Sequence, residues 1–437
     1  MKKPKTRVDE VDYIVIGAGI SGLAAATYLK DHGQQVLVLE SGQIPGGRMS
    51  SIELDRVPAD LGAQFIAKSY KNIIAKNKEL GLPALALSIH KIGIQQPNNS
   101  INYFNPAMPL SLLSFKGLSF GKRLRMILTL PYIIMKPPYI NIYNPQQVGD
   151  LDNQIAADYF GNIIGNSAVT EVLDPVIHGL AFYSLQNTSA AFLKAMTAKL
   201  LTMRPLSYAR GIGELSQKLA SQLQVKYGAK VIAIERGDDR VLVNAIITGQ
   251  SKTYRAKKVI VAVPGNTVLN ILKQPTNIER QFFEKVEYSS AVIIHCRADI
   301  PLPNDSSVLF YKPQEEKQLA SIHMNPYAQK EKKSYMVVTL GSVFAKKYLN
   351  GQVSDKEILR IIQNKIGPVP NLEILHKTPW ASAVPLYYPG YIKLVNEFQA
   401  TYDRDDMILY CGDYLAGGYT EMAFTSGLDA AKRAINT

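Results

Sequence analysis

The chain has 437 residues, 46% hydrophobic and 19% charged, with a formal net charge of +13. This is the composition of a globular protein large enough for about two domains, and it excludes a disordered, fibrous or disulfide-stapled chain. Two cysteines (Cys296 and Cys411) and six scattered histidines offer neither a disulfide framework nor metal-ligand spacing, and no run reaches the ~18 apolar residues of a membrane span. A reducing, cytoplasmic setting and no metal are therefore expected.

The first apolar run follows a lysine-containing start, as in a secretory signal. Glu10 and Asp12 interrupt it, however, and no cleavage pattern follows. It reads instead as a buried strand over Tyr13–Ile16, a helix over Leu23–Lys30 and a second strand over Gln35–Leu39. Between the first two stand Gly17, Ala18, Gly19, Ile20, Ser21 and Gly22, spelling G-x-G-x-x-G. The first glycine permits a tight turn, the second a close approach to a pyrophosphate, and the third close packing of helix on strand. The helix start then favours phosphate. Glu40, 18 residues past Gly22 with Ser41 beside it, is placed to accept ribose hydroxyls. Gly46, Gly47 and Arg48 follow, two glycines for a close backbone approach and an arginine suited to phosphate or a ring edge.

Between Glu79 and Asp150 there is no acidic residue. Lys116, Lys122, Arg123, Arg125 and Lys136 alternate there with apolar clusters, in the manner of an amphipathic helix lying on an anionic membrane surface. The bland reading is a helical cap with a solvated basic face. No motif accompanies the charge to suggest nucleic acid.

From about Ser100 to Tyr208 the pattern is mostly helical, with prolines at 131, 137, 138, 145 and 175. A glycine-started helix is expected over Tyr208–Leu223, then strands in KVIAIE, RVLVNAII and KTYRAKKVIVAVP, then mixed elements to Leu394. The chain ends as strand, loop and helix. Both ends and a middle block thus read as one nucleotide-binding fold. The expected class is α/β: a discontinuous doubly wound, Rossmann-like domain (9–85, 208–270, 395–437), a mixed-sheet substrate domain (86–100, 271–394) and a helical subdomain (101–207).

With DLGAQFI (Asp60 to Ile66), VIVAVP and the C-terminal CGDYLAGGYTEMAFTSGLDAA, the chain resembles the FAD-dependent family of monoamine oxidase, protoporphyrinogen oxidase and phytoene desaturase. The motifs occur in the family's order over most of the chain. The resemblance implies non-covalent FAD. Gly46, Gly47 and Arg48 would run along its diphosphate and flavin, and Gly62, Ala63, Gln64 and Phe65 past the ring. Val231 would meet the adenine, Gly412 and Asp413 the diphosphate–ribityl region, and Gly418 to Met422, with Thr420 and Glu421, the pyrimidine edge.

The expected activity is hydride removal from a substrate C–H to the flavin, with dioxygen or a quinone as acceptor. Tyr419 matches one aromatic-cage position of amine oxidases, but Ala383 stands at the other. No lysine occurs in Glu287 to Cys296, and the covalent flavin cysteine is missing. The segment Ala156 to Phe192 is instead similar to protoporphyrinogen oxidases, which favours an apolar cyclic or conjugated small-molecule substrate. Tyr419, His178, Trp380 and Tyr391 are the catalytic candidates, with Phe182 and Tyr183 in the pocket. An amine oxidase with a rebuilt cage and a non-catalytic flavin scaffold are the alternatives.

Overall fold

The computed structural model describes residues 9–87, 91–96, 98–135, 148–201, 204–299, 307–313, 317–328, 333–401 and 407–436. Lys136 and the prolines at 137, 138 and 145 lie outside them.

The continuous apolar run YIVI becomes the inner part of the strand Asp9–Ile16, buried on both sides as a central parallel strand must be. Its neighbours are Val36–Leu39 on one side and Gln250–Val261 on the other, both parallel. Gln224–Lys226 extends this sheet beyond Val36–Leu39, and Ile408–Tyr410 joins it against Val259–Val261. The twelve-residue strand Gln250–Val261 has two roles. Antiparallel pairing joins it to Val241–Ile247, which pairs in turn with Ala229–Arg236. Strands from three separated stretches of chain therefore make one seven-stranded sheet.

Helix Ile20–Asp31 packs on the last helix, Thr420–Asn436. Their contact uses small residues because the backbones nearly touch. A Cβ on Gly427 would lie 2.0 Å from the Ser21 carbonyl oxygen; separately, one on Gly22 would lie 2.0 Å from the carbonyl oxygen of Gly17 in the turn before the first helix.

The second seven-stranded sheet runs Glu373–Trp380, Ala291–Ala298, Ser334–Leu340, Leu319–Met324, Ser307–Phe310, Lys91–Gln95, Ile101–Phe104. It is mixed, since Ser307–Phe310 and Lys91–Gln95 are parallel and the other pairs antiparallel. Ile101–Phe104, read from sequence as the start of the helical part, is its edge strand. Helices dominate from Phe120–Met135 to Ala190–Leu201. The predicted helix over Tyr208–Leu223 is shorter, Glu214–Ala220, because Gly211 takes a φ of +88° and the chain turns before it.

Candidate active site at the seam of the two sheets

The two glycine turns meet. Gly19 and Gly46 form a parallel bridge, the Gly46 amide donates to the Ala18 carbonyl at 2.7 Å, and a Cβ on Gly47 would lie 3.6 Å from Gly19 Cα. Gly17 (φ +102°) and Gly46 (φ +108°) adopt conformations that L side chains avoid. At Gly19 a Cβ would meet nothing within 4 Å, so this turn faces open space where a pyrophosphate could approach the backbone. Ile20 and Ser21 are buried in the helix behind it.

Glu40 lies beside the same turn. Its Oε2 accepts the Ala18 amide at 2.6 Å and its Oε1 the Gly42 amide at 2.7 Å, with the exposed Ser41 hydroxyl at 3.3 Å. Oε2, with one donor, keeps a further lone pair for a ribose hydroxyl, while both of Oε1 are taken. The Ala229 amide donates to the Glu40 carbonyl at 2.8 Å, which brings Val231, two residues on, to this end of the sheet.

Arg48 ties this half to the C-terminal segment. Its two terminal nitrogens fork onto Asp413 at 2.5 and 3.0 Å, and one also donates to the Ala383 carbonyl at 2.9 Å. Burial alone would lower the Arg48 pKa, but Asp413 and Tyr288 more than reverse this and the guanidinium stays charged. Tyr288, which the sequence reading overlooked, donates to Asp413 at 3.3 Å and accepts the Gly265 amide at 3.2 Å. Burial, then the charge of Asp413, pushes its phenol far up. No sequence motif marks it, because its partners lie 125 and 23 residues away.

The loop after Asp60 lies on the Arg48 turn. The Ala63 amide donates to the Arg48 carbonyl at 2.8 Å, and a Cβ on Gly62 would sit 2.1 Å from that oxygen. Gly62, Ala63, Gln64 and Phe65 are all half-buried. Asp60 itself, quoted in the sequence motif without a role, anchors the loop. It accepts from Ser51 Oγ (2.6 Å), the Ile212 amide (2.8 Å) and Tyr327 (2.8 Å). Burial pushes its carboxyl up to about 6, against those three hydrogen bonds.

Among the candidate catalytic residues, Tyr419 is half-buried and its ring lies 5.8 Å from that of Tyr70. Trp380 donates to the Leu61 carbonyl at 2.6 Å, over the same loop. His178 is 7% exposed, with both ring nitrogens buried and unbonded, and burial lowers its pKa. Phe182 ends its helix with a φ of +65°, and the buried Tyr183 hydroxyl has no partner. Tyr391 is a correction. It is 0% exposed, packs among Phe282, Tyr387 and Tyr388, and donates to the Tyr414 carbonyl at 3.0 Å. It has no surface left for a substrate and is a core residue.

At the start of the last helix, a Cβ on Gly418 would lie 3.0 Å from Val384, next to the Ala383 carbonyl held by Arg48. Thr420 and Met422 are half-buried there. Glu421 is buried and turns away. Its carboxylate accepts the Asn72 and Ile73 amides at 2.7 and 3.0 Å, capping helix Lys71–Glu79. Its side chain is thus a cap, which leaves only its backbone for the expected flavin edge. Gly412 is held through its amide by Ser426 at 3.1 Å.

The fold is that of a dinucleotide-binding protein, a doubly wound sheet joined to a second, mixed sheet. The model of the flavin containing amine oxidoreductase family matches residues 20–435, and the chain belongs to that family. Its curated relatives include amine oxidase [flavin-containing] A of Canis lupus familiaris, 24% identical over 282 residues, covering 60% of this chain and 51% of that protein. Mitochondrial protoporphyrinogen oxidase of Nicotiana tabacum is 32% identical over 168 residues, covering 38% of this chain and 31% of that protein. The chain spans about half the length of the amine oxidases it matches first, 51% and 52%. Among solved structures, a putrescine oxidase double mutant superposes with a TM-score of 0.78 at 18% identity, over 99% of this chain and 100% of its own.

The residues present fit the family's flavin cofactor. They offer an open glycine cradle, an acid with a free lone pair, and a loop and helix start beside the Arg48–Asp413 fork. Neither cysteine is presented for a covalent link: Cys296 lies within a strand and Cys411 directly after one, beside Gly412, and both are buried at 0% exposure. The cofactor is FAD, held non-covalently.

Proposed function

We propose that the protein is an FAD-dependent oxidoreductase that removes a hydride from a substrate C–H and passes the electrons to dioxygen or a quinone. The favoured substrate is a small cyclic or conjugated molecule of the protoporphyrinogen-oxidase kind. One observation carries this reading: the turns at 17–22 and 46–47 meet with open space at Gly19, Glu40 lies on the Ala18 amide, and Arg48 forks onto Asp413 and holds the Ala383 carbonyl next to the start of the last helix. Bound there, FAD supplies the two-electron acceptor. The chain's own residues bind and orient it. Glu40 accepts ribose hydroxyls, and the glycine backbones admit the diphosphate. The start of the last helix favours negative charge by ~0.3–1 kcal/mol. Trp380, Phe65 and Tyr419 exclude water from the reacting carbon. His178 is a further substrate-facing candidate.

Amine oxidation is the second reading. It is favoured by the amine oxidase relatives and by Tyr419, half-buried against Tyr70. The test is a spectrum of the purified protein, photoreduction, readmission of oxygen, then peroxide release with porphyrinogens and with an amine panel. A protein that stays colourless after reconstitution refutes the flavoenzyme. A flavin that binds but does not cycle supports the non-catalytic scaffold.

In this reading the helical part meets an anionic membrane. Phe120, Leu124, Leu128 and Tyr132, spaced by four residues on helix Phe120–Met135, are 41–69% exposed, as are Met108 (64%) and Leu110 (69%) just before it. Lys116, Lys122 and Arg125 are exposed among them. No helix among the described residues is long and apolar enough to cross a bilayer. Lys122 and Arg125 already donate to Ser167 and to the Ile163 and Asn162 carbonyls, so the apolar ridge is the better probe. Leu110→Ser with Leu128→Ser is expected to abolish flotation with anionic liposomes while leaving the fold intact. Unchanged flotation refutes the contact.

A further inference from the structure

The second sheet has two unlike faces. On one, Ile294, Cys296, Met336 and Val338 pack in an apolar cluster with helices Ser342–Leu349 and Asp355–Ile366. Strand alternation sends their neighbours to the other face. There the register aligns His323 with Val337, Val337 with His295, and His295 with His376. Three histidines thus stand in one row across four strands, on the face turned to the Asp60–Phe65 loop. His295 Nε2 lies 3.0 Å from the Asp60 carbonyl, and His323 Nε2 lies 3.3 Å from Gln64 Oε1.

These contacts assign the tautomers. A carbonyl oxygen only accepts, so His295 carries its proton on Nε2. Gln64 donates its amide N–H groups to the Asp60 and Gly62 carbonyls at 3.3 and 3.0 Å, which leaves its oxygen to accept from His323. His323 therefore also carries its proton on Nε2. Both rings keep a bare acceptor at Nδ1. The His323 Nδ1 is buried and has no partner, although the residue as a whole is only half-buried. A buried acceptor is costly to leave unmet, so the working site should bring it a donor. Burial holds both rings neutral, pushing each down to about 4; neighbouring His376 adds to this for His295, and His295 for His323.

We propose that His295 and His323 are specificity-determining residues of the site, whose Nδ1 atoms select a substrate presenting an N–H or O–H donor over a hydrocarbon of the same shape. The proposal rests on the flavoenzyme reading and narrows its substrate class. A purely apolar substrate would leave these acceptors unpaired, whereas a nitrogen-bearing ring would satisfy one of them along its edge. The lysine missing from Glu287 to Cys296 has, in this view, no cationic substitute. The strand instead contributes a neutral acceptor at His295.

The test uses the FAD-reconstituted protein and two probes, indole and indene. These are fused bicycles of nearly the same shape, and only indole bears an N–H. Flavin difference spectra read their binding. Indole is expected to bind roughly fivefold more tightly, the worth of one neutral hydrogen bond, and His323→Leu to reduce that preference below about twofold. Should the variant misfold, nitrogen-15 NMR of histidine-labelled wild-type protein reads the tautomers directly. Both rings are expected as Nε2–H at neutral pH, with the Nδ1 resonance of one ring shifting when indole binds. Equal affinity for the two probes, or Nδ1–H tautomers, overturns the proposal. Failure to take up FAD at all overturns instead the flavoenzyme reading on which it stands.

Discussion

Asp413→Asn removes one charge and almost no volume from the joint between the two halves of the site. Asp413 is 7% exposed and takes both terminal nitrogens of Arg48, at 2.5 and 3.0 Å, and the Tyr288 hydroxyl at 3.3 Å. Opposite charges ~3.5 Å apart at an effective dielectric of 20 attract by roughly 5 kcal/mol, much of it offset by desolvation. Removing one member of a buried pair costs about 3–5 kcal/mol, because the other charge stays behind. The Arg48 side chain keeps 29% of its surface exposed, so water recovers part of this and about 2–3 kcal/mol remains. Tyr288→Phe loses a single neutral donor, about 1 kcal/mol. Denaturant unfolding of the FAD-free protein measures both, and flavin fluorescence gives FAD affinity in the same variants. An Asn variant within about 0.5 kcal/mol of wild type, with unchanged FAD affinity, would refute the role given to this joint.

Asp60 makes stability depend on pH. Its folded pKa of about 6 lies above the ordinary 3.8, so the native state holds the proton more tightly and stability falls as pH rises from about 4 to 6. The drop is at most about 3 kcal/mol, and Asp60→Asn should remove it from the pH profile of unfolding. Gly427→Ala places a Cβ 2.0 Å from the Ser21 carbonyl oxygen, so the two helices must separate. A loss of about 1–3 kcal/mol is expected in thermal unfolding despite alanine's better helix propensity. Gly121→Ala, with nothing within 4 Å, should be neutral or stabilising; equal effects at the two positions would contradict the close contact.

The elements nearest the N-terminus were legible in the sequence because their signals are local. The apolar run to Ile16, the glycine spacing and the acid at Glu40 each follow from the strand, turn and helix that contain them. The long strand Gln250–Val261 was legible as a strand, but not its double role of antiparallel partner at one end and parallel partner at the other. Tyr391 was misread, and the role of the Glu421 side chain went unseen, for one reason. An aromatic or an acid beside a site motif looks like part of the site, and only packing shows that one fills the core and the other caps a distant helix.

Sequence alone determined the family, the cofactor and the order of the segments that hold it, since these rest on spacings of a few residues that no distant contact alters. The tertiary structure decided everything that depends on two remote residues meeting. It brought Tyr288 to Asp413, set Asp60 under the Arg48 turn, and aligned His295 and His323 on one face across Val337. Cross-strand register and domain docking are long-range outcomes, and hydrophobic patterning constrains them only to a face, not to a partner.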